Sequence, residues 1–141
     1  MKKRVLILCT GNSCRSQMAE GFWRKHGGDA WEVFSAGLIP LGVNPLAARV
    51  MSEAGIDISQ HTSDAIEKYA AMRFDLVVTV CDNVARQCPR FPGAARQEHW
   101  PFDDPARRNV SDADKLAAFR RVRDEIERRV RDYLAPAPPK A

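Results

Sequence analysis

The sequence predicts a three-layer α/β domain built on a central parallel sheet of about four strands. Three observations carry this expectation: two short, nearly continuous apolar runs at residues 4–8 and 74–81, stretches of helical period alternating with strand-like ones along the chain, and glycines or capping residues at the junctions. In such sheets ligands bind beyond the carboxyl ends of the strands, where strand-to-helix loops converge.

The elements follow in order. Residues 4–8 (Arg-Val-Leu-Ile-Leu) are apolar after the first, which marks a strand covered on both faces, and a glycine-containing loop comes directly after. From Ser16, the residues Met18, Ala19, Phe22 and Trp23 recur at helical spacing until Gly27-Gly28, a suitable helix end. Residues 31–35 alternate as a second strand that ends near Ala36-Gly37. Asn44 before Pro45 makes an N-cap with proline at the first helical position, so a helix is expected over about 45–54, with Gly55 just past its end. Thr62, Ser63 and Asp64 offer a cap for a short helix running to about Ala71. Residues 74–81 (Phe-Asp-Leu-Val-Val-Thr-Val-Cys) read as the second core strand. The polar stretch with Pro89, Pro92 and Gly93 is a loop, and a short strand is expected near 97–100. Leu116, Phe119, Val122, Ile126, Val130 and Leu134 fall at steps of three and four, which predicts a long amphipathic helix over about 111–134. The proline-rich tail 135–141 cannot continue it and is expected to be disordered, leaving one domain over 1–134.

Composition narrows the function classes. The 141 residues carry 22 Lys+Arg against 18 Asp+Glu, a net +4, with 45% hydrophobic and 28% charged residues. The basic residues of the last helix alternate with acidic ones, as on a solvated face, so no nucleic-acid role is expected. The apolar run after Lys2-Lys3-Arg4 is shorter than the ~7–15 residues of a secretory signal core, and no run reaches the ~18 of a membrane span, so a cytoplasmic monomer without a membrane partner is expected. Four cysteines are too few for a disulfide framework and point to catalysis, redox chemistry or metal binding. Zinc is disfavoured, because neither C-x4-C nor C-x6-C is a usual ligand spacing.

The loop after the first strand, Cys9-Thr10-Gly11-Asn12-Ser13-Cys14-Arg15-Ser16, separates a cysteine from an arginine by five residues. A short loop winding into a helix N-terminus turns successive backbone N–H groups inward, and with the helix dipole they form a cradle for a tetrahedral oxyanion. In this reading Thr10, Gly11, Asn12, Ser13, Cys14 and Arg15 bind the anion. Gly11 permits a backbone conformation closed to other residues, and Asn12 tolerates a left-handed one. The guanidinium of Arg15 grips two anion oxygens, while the positive field favours Cys9 as thiolate with the Ser16 hydroxyl donating to its sulfur. Cys9 is thus poised to attack a bound oxyanion. Cys81 stands at the end of the other apolar strand, so neighbouring strands would bring both thiols to one site.

The segment Cys9-Thr-Gly-Asn-Ser-Cys-Arg-Ser-Gln-Met-Ala-Glu20 resembles the arsenate reductases built on the low-molecular-weight tyrosine phosphatase fold, in their thioredoxin-coupled branch. The resemblance continues through Ser35-Ala36-Gly37, Gly42-Val43-Asn44-Pro45, His61-Thr62-Ser63-Asp64, Asp75-Leu76-Val77-Val78-Thr79, Cys81 to Cys88-Pro89, Glu98-His99-Trp100 and Phe102-Asp103-Asp104-Pro105. Phosphatases share the cysteine-arginine loop. Three features turn the resemblance toward reductases: Gln17 where such phosphatases carry proline, Ala106 where they place an aromatic residue, and the extra thiols Cys81 and Cys88.

The resemblance implies reduction of arsenate to arsenite. Cys9 attacks arsenic, Asp104 serves as the acid, Cys81 displaces arsenite by attacking Cys9, and Cys88 resolves the result into a Cys81–Cys88 disulfide that thioredoxin reduces. Weak phosphatase side activity is also implied. If the six residues between Cys81 and Cys88 are helical the thiols lie ~10 Å apart, whereas a disulfide wants Cα atoms within ~7 Å, so this segment is expected to rearrange. No tightly bound cofactor is expected. The resemblance does suggest a potassium ion at Asn12, Glu20, Ser35 and Asp64. No catalytic pattern attaches to His26, His61 or His99. A tyrosine phosphatase with incidental cysteines and a non-enzymatic oxyanion or arsenite-binding regulator remain as alternatives, separable by reductant-free turnover of an aryl phosphate and by binding without arsenite release.

Overall fold

The computed structural model describes residues 2–80, 91–106 and 110–135. Strand β1 (Lys3–Cys9) lies inside a four-stranded sheet between β2 (Trp31–Gly37) and β3 (Leu76–Thr79), with β4 (Gln97–His99) beyond β3 and every pairing parallel. The order β2-β1-β3-β4 reverses direction at β1, which opens the binding crevice between β1 and β3. Cys9 pairs with Gly37 and Leu8 with Thr79, so the carboxyl ends of three strands finish level, and the Val80 N–H extends the ladder to the Leu8 carbonyl at 2.8 Å. Cys81 and Cys88 lie outside the described residues, as does the tail from 136 onward.

Alternation along β1 sends side chains into two cores. Val5, Ile7 and Cys9 join Met18, Phe22 and Trp23 of α1 (Arg15–Gly27), Val50 of α2 (Pro45–Glu53) and Phe119, Val122 and Ile126 of α3 (Asp112–Leu134). Leu6 and Leu8 face a smaller core with Tyr69, Phe74 and Phe91. The expected cap of α2 forms, with Asn44 Oδ1 accepting from Leu46 N–H at 2.8 Å and Pro45 following, and α3 opens on a further cap, Ser111 Oγ accepting from Asp114 N–H at 3.1 Å.

Two expectations need correction. Over 62–71 only a single 3-10 turn forms, Ile66–Tyr69. Asp64 caps no helix because its carboxylate is taken by the Thr62 hydroxyl at 2.8 Å and by Lys68 at 3.2 Å, while its N–H anchors the segment to Asn12 Oδ1 at 2.8 Å. The second core strand is also shorter than the apolar run suggested. Phe74 makes an isolated bridge to Ala94, and the carboxylate of Asp75 accepts from the Arg4 N–H at 2.7 Å.

Helices α2 and α3 are joined at the surface by Glu53, whose carboxylate accepts from Arg120 at 3.0 and 2.7 Å and from Arg123 at 3.0 Å. The Arg120 guanidinium holds this carboxyl down at about 2 from an ordinary 4.5. A depressed folded value stabilises fully above the unfolded one and loses that stabilisation as pH falls, here between 4.5 and about 2. Glu53→Gln is therefore expected to flatten the fall of Tm with pH across that window, by the modest amount an exposed network contributes, as thermal melts at stepped pH would show. Among the described residues, no helix is long and apolar enough to cross a membrane.

Candidate active site

The loop between β1 and α1 is held open from outside. Five successive carbonyls accept hydrogen bonds from groups around it: Thr10 from Ile39 N–H (3.0 Å), Gly11 from Leu41 N–H (2.9 Å), Asn12 from Ser63 Oγ (2.8 Å) and Gln17 Nε2 (3.1 Å), Ser13 from Asn44 N–H (3.0 Å), and Cys14 from Met18 N–H (2.9 Å). A trans peptide points its N–H opposite to its C=O, and no cis bond occurs among the described residues. The N–H groups of Gly11, Asn12, Ser13, Cys14 and Arg15 are thereby turned to the inside of the loop, where the N-terminus of α1 adds its positive dipole end. The result is a cradle for a tetrahedral oxyanion.

Cys9 closes the floor of this cradle. Its sulfur accepts from the Asn12 N–H at 3.2 Å and lies 2.9 Å from Ser16 Oγ. Ser16 Oγ accepts from Asn12 Nδ2 at 2.8 Å, which leaves its own hydrogen for the sulfur. Asn12 Nδ2 also donates to Ser35 Oγ at 2.9 Å, and Ser35 donates to Glu20 Oε1 at 2.6 Å. A buried polar chain thus runs from the Glu20 carboxylate through Ser35, Asn12 and Ser16 to Cys9.

Asn12 has φ of 46°, the left-handed conformation expected of it. Gly11 does not share it, since the positive-φ glycines are Gly28, Gly42 and Gly55. The expectation for Gly11 is corrected on that point: a Cβ there would meet Leu41 Cδ1 at 2.9 Å, a contact that the exposed Leu41 side chain can relieve by moving. At Gly37 a Cβ would stand 2.7 Å from Asn12 N and 2.9 Å from Thr10 O, so only glycine lets β2 pass under the loop.

Arg15 is buried, and its Nη1 donates to the Phe102 carbonyl at 3.1 Å, tying the loop to the segment that carries the aspartates. Those two diverge. Asp103 turns outward to Arg121 at 3.4 Å, whereas Asp104 accepts from Ala106 N–H at 2.9 Å and lies close enough to Cys14 to act on its ionisation. Burial first of all, with the charges of Asp104 and Cys9 adding to it, pushes the Cys14 thiol up to about 12. Cys14 thus stays protonated at neutral pH and offers the site its backbone rather than its sulfur.

The four residues named for a cation are hydrogen-bonded or ion-paired to one another and to Thr62, Lys68 and Arg24. Asn12 Oδ1 is taken by Asp64 N–H, its Nδ2 faces Ser35, the Asp64 carboxylate turns to Thr62 and Lys68, and Glu20 is ion-paired with Arg24 at 2.9 Å. An amide N–H aimed at Ser35 and a guanidinium on the carboxylate are a poor fit to a cation. Among the described residues, no three His, Cys, Asp or Glu side chains could hold a metal ion.

Sequence reasoning missed the role of two residues outside the loop proper. Gln17, fully buried, donates through Nε2 to the carbonyls of Asn12 and Thr62 (3.1 and 2.9 Å), so its Oε1 accepts from His61 Nδ1 at 3.1 Å, with Glu20 Oε2 3.7 Å from the same ring nitrogen. Ser63, read as a helix cap, instead donates to Asn12 O. No local signal distinguishes these uses from capping or packing. Clefts of about 690 and 950 Å³ lie elsewhere, against α3 and at the opposite end of the sheet, and contain none of these residues.

Comparison with known proteins gives a consistent answer. The model of the family described as low molecular weight phosphotyrosine protein phosphatase matches residues 4–138. An arsenate reductase of Halalkalibacterium halodurans is 52% identical over 132 residues, covering 94% of this chain and 95% of that protein. A solved arsenate reductase in its phosphate binding state superposes with a TM-score of 0.80 at 39% identity, covering 95% of this chain and 97% of the other. The thioredoxin-dependent arsenate reductase of Corynebacterium glutamicum aligns with a TM-score of 0.70 at 25% identity, over 94% of this chain and 60% of that one.

Proposed function

The chain belongs to the low molecular weight phosphotyrosine protein phosphatase family and, within it, to the arsenate reductases; from that premise we propose that it reduces arsenate to arsenite by a relay of three cysteines regenerated by thioredoxin. The single observation that carries the chemistry is the set of five outward-held carbonyls, which turns five N–H groups around Cys9. Arsenate sits in that cradle with its oxygens on the loop N–H groups and the Arg15 guanidinium. The Cys9 thiolate attacks arsenic, an arsenic–oxygen bond breaks, and Asp104 donates the proton that lets the oxygen leave as water.

Arsenic is still pentavalent at this point. Reduction comes when the Cys81 thiolate attacks the Cys9 sulfur: a sulfur–sulfur bond forms, the sulfur–arsenic bond breaks, and its electron pair leaves with arsenic as arsenite. Two thiols have supplied two electrons. Cys88 then attacks Cys81, frees Cys9 as thiolate and leaves a Cys81–Cys88 disulfide for the dithiol of thioredoxin to reduce. Support for the partner comes from the thioredoxin-dependent relative and from the presence of both extra thiols in this chain. The position of Val80, bonded to the Leu8 carbonyl beside Cys9, supports the first exchange. Such chemistry suits the reducing cytoplasm. Because the cradle grips tetrahedral oxyanions generally, slow hydrolysis of an aryl phosphate accompanies it.

The test is arsenite formation by the whole protein with thioredoxin, thioredoxin reductase and NADPH, set beside glutathione with glutaredoxin. Sustained turnover with the first system and little with the second is expected. The reverse preference would replace the partner, and turnover of an aryl phosphate with no arsenite under either system would replace the reaction.

A further inference from the structure

We propose that Gln17 and Ser63 are positioning residues that hold the Asn12–Ser13 peptide with its N–H toward the bound anion. The inference rests on reading the loop as an oxyanion cradle. Of the five carbonyl tethers, four end on backbone N–H groups, those of Ile39, Leu41, Asn44 and Met18, which no side-chain substitution removes directly, and at Gly11 the Ser63 hydroxyl adds only a longer contact of 3.4 Å. The Asn12 carbonyl is the exception. Both its lone pairs are taken by side chains, Ser63 Oγ at 2.8 Å and Gln17 Nε2 at 3.1 Å. It also follows the one non-glycine residue with positive φ among those described, a sparsely populated backbone conformation that persists only where surrounding contacts hold it. With the carbonyl pinned outward, the Ser13 N–H must face the cradle.

Gln17 suits this task for a further reason. Its amide orientation is set by two carbonyl acceptors, Asn12 O and Thr62 O, with His61 Nδ1 on its oxygen, so the donor cannot swing away. Proline at this position would have no group to offer the Asn12 carbonyl. The side chain that departs from the phosphatase pattern is therefore the one that steadies the cradle's own peptide.

The experiment alkylates the reduced full-length protein with iodoacetamide, follows Cys9 by peptide fragmentation, and titrates in inorganic phosphate as the protecting anion. Loss of one of two neutral hydrogen bonds leaves the carbonyl held, so Gln17→Met and Ser63→Ala should each raise the half-protecting phosphate concentration about threefold. In the double variant the peptide turns and a donor to a charged ligand is lost, so the rise should reach about thirtyfold, beyond the product of the singles. Alkylation without phosphate should stay within about twofold of wild type, because the Asn12 N–H and Ser16 hydroxyl that hold the sulfur belong to other groups. Ser63→Thr, which keeps a hydroxyl, should protect as wild type does. Should Gln17→Met not fold, Ser63→Ala against Ser63→Thr carries the test on a half-buried residue. Wild-type protection in the double variant overturns the proposal. So does a double variant whose phosphate-free alkylation changes as much as its protection, which would report general loop damage. Protection needs only anion binding, so it stays readable if no arsenite is ever formed, while absence of protection in the wild-type protein would remove the cradle reading beneath it.

Discussion

Cys9→Ser is expected to reduce arsenite formation to background and to remove any hydrolysis of an aryl phosphate with it. The reason lies in the loop. Its N–H groups, with the Ser16 hydroxyl at 2.9 Å and the Asn12 N–H at 3.2 Å, can hold negative charge on sulfur, but a serine hydroxyl in the same place is not appreciably ionised and does not attack. The substitution removes no hydrogen-bonding group from the cradle, so phosphate binding should persist and serves as the control for folding. Steady-state arsenite assay and phosphate titration on one preparation separate loss of the nucleophile from loss of the site. Either activity surviving above background would take Cys9 out of its role.

Cys88→Ser should produce a single arsenite per enzyme molecule and then stop. If Cys88 only resolves the first disulfide, Cys9 and Cys81 still reduce one arsenate and remain trapped as a Cys9–Cys81 disulfide. Cys81→Ser should fail one step earlier, with arsenic held on Cys9 and no thiol in place to expel arsenite. Single-turnover arsenite yield and disulfide mapping by mass spectrometry on both variants distinguish these states. Continued thioredoxin-driven turnover by Cys88→Ser would sink the three-cysteine scheme and leave a two-cysteine cycle served by glutathione.

Much of the site is legible in the chain because it is contiguous. Cys9, Asn12, Arg15 and Ser16 stand within one strand-to-helix loop, and their roles follow from where a helix N-terminus points its amides. Asn44-Pro45 begins its helix as its sequence signal announces, since capping is settled within three residues. The helix expected over 62–71 failed for the complementary reason. Thr62, Ser63 and Asp64 carry the signature of a cap, but their groups are drawn to one another, to the nearby Lys68 and, across the fold, to Asn12. A local preference worth about 1 kcal/mol yields to several hydrogen bonds that bury the catalytic loop.

What the sequence by itself determined is the succession of strands and helices, the two apolar strands that must lie centrally, and the loop whose amides and arginine suit an oxyanion. These depend on neighbours within a turn or a strand, where spacing alone sets which groups meet. Only the tertiary structure decided that the loop is held open by Ile39, Leu41 and Asn44, that Gly37 is required where β2 passes the loop backbone, and that Gln17 and Ser63 share the Asn12 carbonyl. Most of those partners come from segments dozens of residues away, and they reach the loop because β2 pairs beside β1 and carries the chain after Gly37 across its end. Hydrogen bonds of that kind are written in the strand order, which no local pattern encodes.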